Sequence, residues 1–313
     1  MMVAFNFFVQ HLARNSIPRQ LINRIDSSSA ITHLVLGNSL MEAGFNATVF
    51  DRVMTPTPAR ALNAALGATS QVEHLILLRR AMRHDPEIKE VIYGFLDFQL
   101  TEQPVVRNQD LIGNLAASYY LEPEIALDYY QMTPRDRLEF RLMRHFPQFV
   151  DRGIIWEKVE RWRRILGEIG LPHAATNQFG RARDFSLLEA SSSAAFARRC
   201  EESSRLGVRL NAPVAEMIQE ARTRAAQVVI VEMPMSPYHR ETFYRLAAWS
   251  RYRQRLQQLV EAAGVEYVSA SDWIQDPAEF ADNLHLSPAG AADFSRRLAL
   301  YLAQRPALPE KAK

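Results

Sequence analysis

Ile31-Thr32-His33-Leu34-Val35-Leu36-Gly37-Asn38-Ser39 is an apolar run that stops on a glycine and then offers a hydroxyl. A short apolar run closed by turn residues predicts a buried strand, of the kind a parallel sheet needs. Ser39 opens the turn and helix that follow. The same pattern repeats along the chain. Arg60–Leu66 reads as a second short strand closed by Gly67, and Val72, Leu75, Ile76, Leu78 and Met82 have helical spacing, stopped by Asp85-Pro86. Glu90–Asp97 is a third strand and Gln227–Met233 a fourth, ended by Pro234. Before the fourth, Ala212–Ala226 reads as a helix with Pro213 in its first turn. After it, Glu241–Ala263 reads as one long helix closed by Gly264, and Val265–Ser269 as a last strand. Ser287-Pro288 has the form of an N-cap followed by proline at the first helical position. Ala291, Phe294, Leu298 and Tyr301 make the seam of that final helix. Strands alternating with helices predict an α/β fold, a parallel five-stranded sheet covered on both faces.

The middle of the chain breaks this rhythm. From about 101 to 205 no strand is visible, and the segments are helical and rich in Tyr, Arg and Trp. Ile155, Val159, Trp162, Leu166 and Ile169 mark one amphipathic helix there. The expected organisation is an N-terminal helical segment over 1–30 and an α/β domain over 31–303. A large helical insertion interrupts that domain at about 101–205, and a flexible tail follows over 304–313. Phe5–Leu12 reads as a helix packed on the domain, with a surface-lying amphipathic helix as its alternative.

The 313 residues are 48% hydrophobic, enough for one large domain with a full core. Net charge is +2, with 37 basic residues scattered among 35 acidic ones, so the chain lacks the basic stripe of a nucleic-acid partner. The one cysteine, Cys200, excludes an intrachain disulfide and a Cys-x-x-Cys motif, and reads as a structural thiol. The eight histidines show no paired metal-ligand spacing, and no cofactor motif is present. The first residues are too short an apolar run to span a bilayer, and they lack the form of a signal peptide.

Ligands of open parallel sheets bind beyond the carboxyl ends of the strands. Ser39, Gly67, Asp97, Met233-Pro234 and the Asp282–His285 segment each follow a predicted strand, so all fall on that edge. The roles that acyl transfer needs can be filled from this set. Ser39 is the candidate nucleophile, His285 its base and Asp282 the acid that orients the base. Backbone N–H groups of Ser39 and Gly67 are the candidate oxyanion donors, since glycine permits close backbone approach. Each piece has a plain alternative. Gly37-Asn38-Ser39 is also an ordinary turn, Asp282-x-x-His285 a surface pair, Asp97 a helix cap, and Asn63 a turn residue.

Gly37-Asn38-Ser39-Leu40 resembles the first block of the SGNH (GDSL-like) hydrolase superfamily. Asn63–Gly67 looks like a shortened second block, the source of the family's oxyanion glycine. Asp282-x-x-His285, with Leu286-Ser287-Pro288-x-Gly290 behind it, is similar to the fifth block, which carries the catalytic Asp and His. The similarity covers roughly 31–100 and 211–303. It implies a flavodoxin-like three-layer α/β/α sandwich and a serine esterase or acyltransferase without metal or cofactor. The third block departs: the family expects Gly-x-Asn-Asp, and here Gly94-Phe95-Leu96-Asp97 puts Leu96 where an oxyanion-donating Asn belongs. Asn38 and Gln99 are the candidate substitutes. The missing Asn and the insertion resemble divergent bacterial branches similar to cell-surface O-acyltransferases.

The expected activity is therefore ester hydrolysis or O-acyl transfer through an acyl-enzyme. The resemblance implies a small-molecule or carbohydrate acyl ester as substrate. The rival is a catalytically weak or inactive binding or assembly protein on the same fold, in which Tyr119-Tyr120, Tyr129-Tyr130, Trp156 and Trp162 line a carbohydrate or partner surface rather than pack the insertion. A response-regulator-like domain fits less well, because no acidic cluster follows the first strand. The absence of a leader predicts a cytoplasmic or membrane-peripheral protein, whereas the relatives implied by the resemblance work outside the cytoplasm.

Overall fold

β1 (His33–Leu36) is buried at every position, and its side chains divide by parity between two cores. Leu34 and Leu36 join one core, Val35 the other. The strands beside it behave alike. In β3 (Glu90–Phe95), Val91, Tyr93 and Phe95 face the first core and Ile92 the second. In β4 (Gln227–Glu232), Val228 and Ile230 face the first core and Val229 and Val231 the second. A strand that is apolar on both faces needs cover on both, and this places the sheet in the middle of three layers.

The computed structural model describes residues 17–54, 59–67, 69–105, 122–145, 190–205 and 208–305. Among them, β2 (Ala61–Asn63), β1, β3, β4 and β5 (Glu266–Ser269) form one sheet in the order β2-β1-β3-β4-β5, every pair parallel. The strand order reverses between β1 and β3, which makes a crevice outside their carboxyl ends.

The first layer holds α1 (Ile17–Ser27), α4 (Gln71–His84), α8 (Ala212–Thr223) and α9 (Ala247–Ala262). Their apolar stripes, such as Leu75, Leu78 and Met82 of α4, fill the first core. The second layer holds α2 (Ser39–Gly44), α3 (Ala47–Val53) and α10 (Pro288–Ala303), with Met41, Phe50, Phe294 and Leu298 in the second core. α4 is buried on two sides. Val72 and Ile76 point away from the sheet and pack on Ala126, Tyr130 and Phe140 of α5 (Pro123–Tyr129) and α6 (Pro134–His145) and the turn between them.

Of the expected insertion, α5, α6 and α7 (Ala190–Arg205) are described. Phe196 of α7 packs on Phe98, Phe243 and Trp249, and this anchors the end of the insertion to the first layer. The Ile155–Ile169 helix, Tyr119-Tyr120, Trp156, Trp162, the Phe5–Leu12 helix and the tail from 306 lie outside the described residues. Cys200 is fully buried, and burial pushes its thiol up to about 12. No helix among the described residues is long and apolar enough to cross a membrane.

One expected helix is broken. The Glu241–Ala263 stretch divides into the end of a π-turn, Arg240–Tyr244, which a short helix, Pro237–His239, precedes, and then α9. The Arg245 N–H reaches back to the Arg240 carbonyl, and Leu246 is extended. Residues five apart on a continuous α-helix point about 140° away from each other. Breaking the helix lets Tyr244 stack on Trp249, centroids 4.3 Å apart and planes at 12°.

Candidate active site

The turn after β1 is built around Gly37. Its φ of +153° is one that residues with side chains rarely adopt, and a Cβ there would stand 2.8 Å from the Gly94 carbonyl oxygen. Asn38 then caps α2, its Oδ1 accepting the Leu40 N–H at 3.0 Å. This capped turn delivers Ser39 as the first residue of α2, at the carboxyl edge of the sheet.

The partner loop follows β5. Phe280 and Leu286 pair as an antiparallel bridge, and the Ala281 N–H donates to the His285 carbonyl at 2.7 Å. Inside that closed loop Asp282 Oδ1 accepts the N–H groups of Leu284 at 2.8 Å and His285 at 2.7 Å. Ser287 caps α10 through the Gly290 N–H, and Ser236 donates to the Asn283 carbonyl at 2.8 Å. The loop is thus tied at both ends and in the middle.

These two pieces meet. Ser39 Oγ and His285 Nε2 are 2.8 Å apart, and His285 Nδ1 lies 2.8 Å from Asp282 Oδ2. An ionised Asp282 accepts from Nδ1–H, which leaves Nε2 to accept the Ser39 hydroxyl proton. Burial pushes the Asp282 carboxyl up, but hydrogen bonds from the His285 ring and from the two backbone N–H groups outweigh it and hold the group below its ordinary value. The acid is ionised at neutral pH. Both side chains keep some solvent access, 16% for His285 and 20% for Asp282, so a small ligand can reach them.

The remaining candidates fall in two places. Backbone bonds from Ala64 to Val35 and from Leu66 to Gly37 carry the chain after β2 alongside the turn, and Gly67 arrives beside Ser39. A Cβ on Gly67 would lie 3.6 Å from Ser39 Cβ. Asn38 Nδ2 donates to Gln99 Oε1 at 3.4 Å across the crevice between β1 and β3. Gln99 Oε1 also accepts the Leu96 N–H at 3.3 Å, so its oxygen ties Asn38 to the turn after β3. Asp97 is engaged elsewhere: it takes the Tyr244 hydroxyl at 2.7 Å and lies 3.4 Å from His239 Nε2. Asp97 sits at a positive φ of 44°. Leu96 packs against the second core. Asn63 holds the end of α2, donating to the Phe45 carbonyl at 3.1 Å while its Oδ1 accepts the Ala65 N–H.

Glu42 is a group that motif reading passed over. It sits one turn after Ser39 on α2, and its carboxylate lies beside Gly67, Oε2 2.9 Å from where a Cβ on that glycine would stand. Spacing of three residues on one helix face was the available signal. Among the described residues, no cluster of three or more His, Cys, Asp or Glu has the arrangement to hold a metal ion.

The chain matches no protein-family profile and no curated protein. Solved structures are similar to it at low identity. Est24, a carbohydrate acetylesterase from Sinorhizobium meliloti, is 10% identical over 87% of this chain and 98% of that one, with a TM-score of 0.40. The lipase/acylhydrolase from Enterococcus faecalis is 11% identical over 87% of this chain and 96% of that one, with a TM-score of 0.37. At TM-scores below 0.5 the likeness carries no weight for the activity of this chain.

Proposed function

We propose that the protein is a serine-dependent ester hydrolase or O-acyltransferase that works through an acyl-enzyme. One observation carries this reading: the unbroken relay from Ser39 Oγ to His285 to Asp282, with both links at 2.8 Å. In the first half-reaction Ser39 Oγ bonds to the ester carbonyl carbon as its proton passes to His285 Nε2. The tetrahedral intermediate collapses, the ester C–O bond breaks, and His285 returns the proton to the leaving alcohol. In the second half His285 deprotonates water or an acceptor hydroxyl, which takes the acyl group as its bond to Ser39 Oγ breaks, and His285 returns the proton to Ser39. The Asp282 carboxylate stabilises the imidazolium in both halves. Backbone N–H groups of Ser39 and Gly67 are the oxyanion donors in this scheme, each worth roughly 3 kcal/mol. The resemblance to SGNH hydrolases extends the proposal to acylated carbohydrate as the substrate class.

A fluorophosphonate probe tests the chemistry directly. We expect covalent label on Ser39, lost in Ser39→Ala and His285→Ala, together with turnover of p-nitrophenyl acetate. A folded protein that takes no label and turns over no ester is instead the rival, a binding or assembly protein on the same fold. The rival draws its support from Leu96, which supplies no side-chain donor where one is expected.

A further inference from the structure

His239 is only 4% exposed, and neither of its ring nitrogens has a hydrogen-bond partner among the described residues. Buried polar groups are normally paired, because an unpaired one keeps the full cost of leaving water. The ring packs against Phe243 and Tyr244, with centroids 4.8 and 5.1 Å away, and this holds it in place. Nε2 lies 3.4 Å from Asp97 Oδ1 but outside hydrogen-bond geometry, and that oxygen already takes the Tyr244 hydroxyl. Asp97 Oδ2 accepts no hydrogen bond from the described residues, and the Asp97 side chain is 20% exposed.

Both members are tied to the catalytic relay. Asp97 lies in the 96–99 turn after β3, which Gln99 joins to Asn38, the neighbour of Ser39. The His239 N–H donates to Ser236 Oγ at 3.2 Å, and the Ser236 hydroxyl donates to the carbonyl of Asn283, which stands between Asp282 and His285. The pair therefore sits beyond the carboxyl ends of β3 and β4, the edge at which open parallel sheets take their ligands. The π-turn Arg240–Tyr244 follows His239 directly, and such turns are frequent at functional sites.

We infer that Asp97 and His239 form an alcohol subsite beside the relay, which holds a free hydroxyl of the sugar that carries or receives the acyl group. This rests on the acyl-transfer reading and deepens it. A hydroxyl both gives and takes a hydrogen bond, and the pair offers both halves. The Asp97 carboxylate accepts, while an imidazole, neutral or protonated, has an N–H to give. The leaving alcohol of the first half-reaction and the acceptor of the second occupy the same place, so one subsite serves both. An alcohol with no further hydroxyl, such as p-nitrophenol, gains nothing from the pair.

The test uses two esters of one acyl group, p-nitrophenyl acetate and a mono-O-acetylglucose with its other hydroxyls free. Both give the same acetyl-enzyme, so the ratio of their kcat/KM values isolates the alcohol side. Wild type, His239→Phe, His239→Gln and Asp97→Asn are compared, with a thermal melt for each. In His239→Phe the ratio of sugar ester to p-nitrophenyl ester falls on the order of tenfold, through the KM for the sugar ester. The ring contacts survive in that variant, so its melting temperature does not fall. His239→Gln keeps a donor and loses less, and Asp97→Asn lowers the ratio as well. An equal ratio in all four proteins overturns the subsite, and so does turnover of p-nitrophenyl acetate alone by wild type. A fall confined to variants that also melt earlier overturns it too, and makes the pair a packing contact. Silence toward both esters, with no fluorophosphonate on Ser39, overturns the acyl-transfer reading itself and the subsite with it.

Discussion

Asp282 accepts three N–H groups at once, from the His285 ring and from the backbones of Leu284 and His285. The backbone bonds build the turn and the ring bond sets the tautomer, so one carboxylate has a structural and a chemical task. Asp282→Asn separates them. An asparagine oxygen still accepts the backbone N–H groups, but its amide offers Nδ1 a donor and favours the tautomer with Nε2–H. We expect kcat for p-nitrophenyl acetate to fall by about 10³–10⁴-fold while the melting temperature changes little. A loss under tenfold would show that Asp282 only forms the turn. The Asp–His pair was legible because both partners lie within one turn of sequence, and Ser39 because an apolar run ends beside it. Glu42 was not, because its neighbour Gly67 reaches it only through the pairing of β2 with β1. Sequence spacing shows partners on one element; it does not show what a neighbouring strand brings alongside.

Between elements, the Asp26–Arg80 pair fastens α1 to α4, Nε to Oδ1 at 2.7 Å and Nη2 to Oδ2 at 2.5 Å. The Arg80 hydrogen bond holds the Asp26 carboxyl below its ordinary value, with burial opposing and the charges of Arg80 and His84 assisting. A depressed carboxylate stabilises the fold above the unfolded-state value and loses that contribution as pH falls through the folded one. Asp26→Asn should therefore cost about 0.5–1 kcal/mol at neutral pH, measured by urea unfolding, and nothing once the solution is acid enough to protonate wild type. An equal cost at both pH values would assign the loss to packing. α4 itself follows from the apolar spacing of Val72, Leu75, Ile76, Leu78 and Met82, and its capping box, Ser70 with Glu73, is built from neighbours in sequence. The break at Arg245–Leu246 does not. Phe243, Leu246 and Ala247 keep helical spacing through it, and the cause is the Tyr244–Trp249 stack and the Asp97 hydrogen bond, which are tertiary.

At the scale of the whole molecule, His74 joins the two layers of loop that build the site. It is fully buried, with Nε2 2.8 Å from Thr69 Oγ1 and Nδ1 3.0 Å from the Tyr93 hydroxyl. The Thr69 hydroxyl donates to the Leu66 carbonyl, so this chain of bonds fixes the Gly67 loop to β3. Burial pushes the imidazole down to about 3, only partly opposed by the Gly37 backbone. The folded state keeps His74 neutral where the unfolded chain protonates it. Stability thus falls with pH from the unfolded value near 6.5 toward the folded one, by up to about 1.4 kcal/mol per unit from this residue. Denaturant midpoints should drop over that window in wild type and drop less steeply in His74→Gln. An unchanged slope would place the acid sensitivity elsewhere. The parallel sheet and its layers were legible because both faces of each central strand are apolar. The loop architecture that hangs from His74 was not, since a single histidine in an apolar helix declares no partner.

The bond between Ser39 and His285 closes a circuit 246 residues long. Synthesis runs in one direction, so the serine leaves the ribosome early and the imidazole near the end. In the interval β2, β3, β4 and β5 must be made before His285 can reach the hydroxyl. A half-made chain carries an unarmed serine and is harmless to whatever esters surround it. The onset of fluorophosphonate labelling on a growing chain would then serve as a clock, marking the moment at which the last strand is seated.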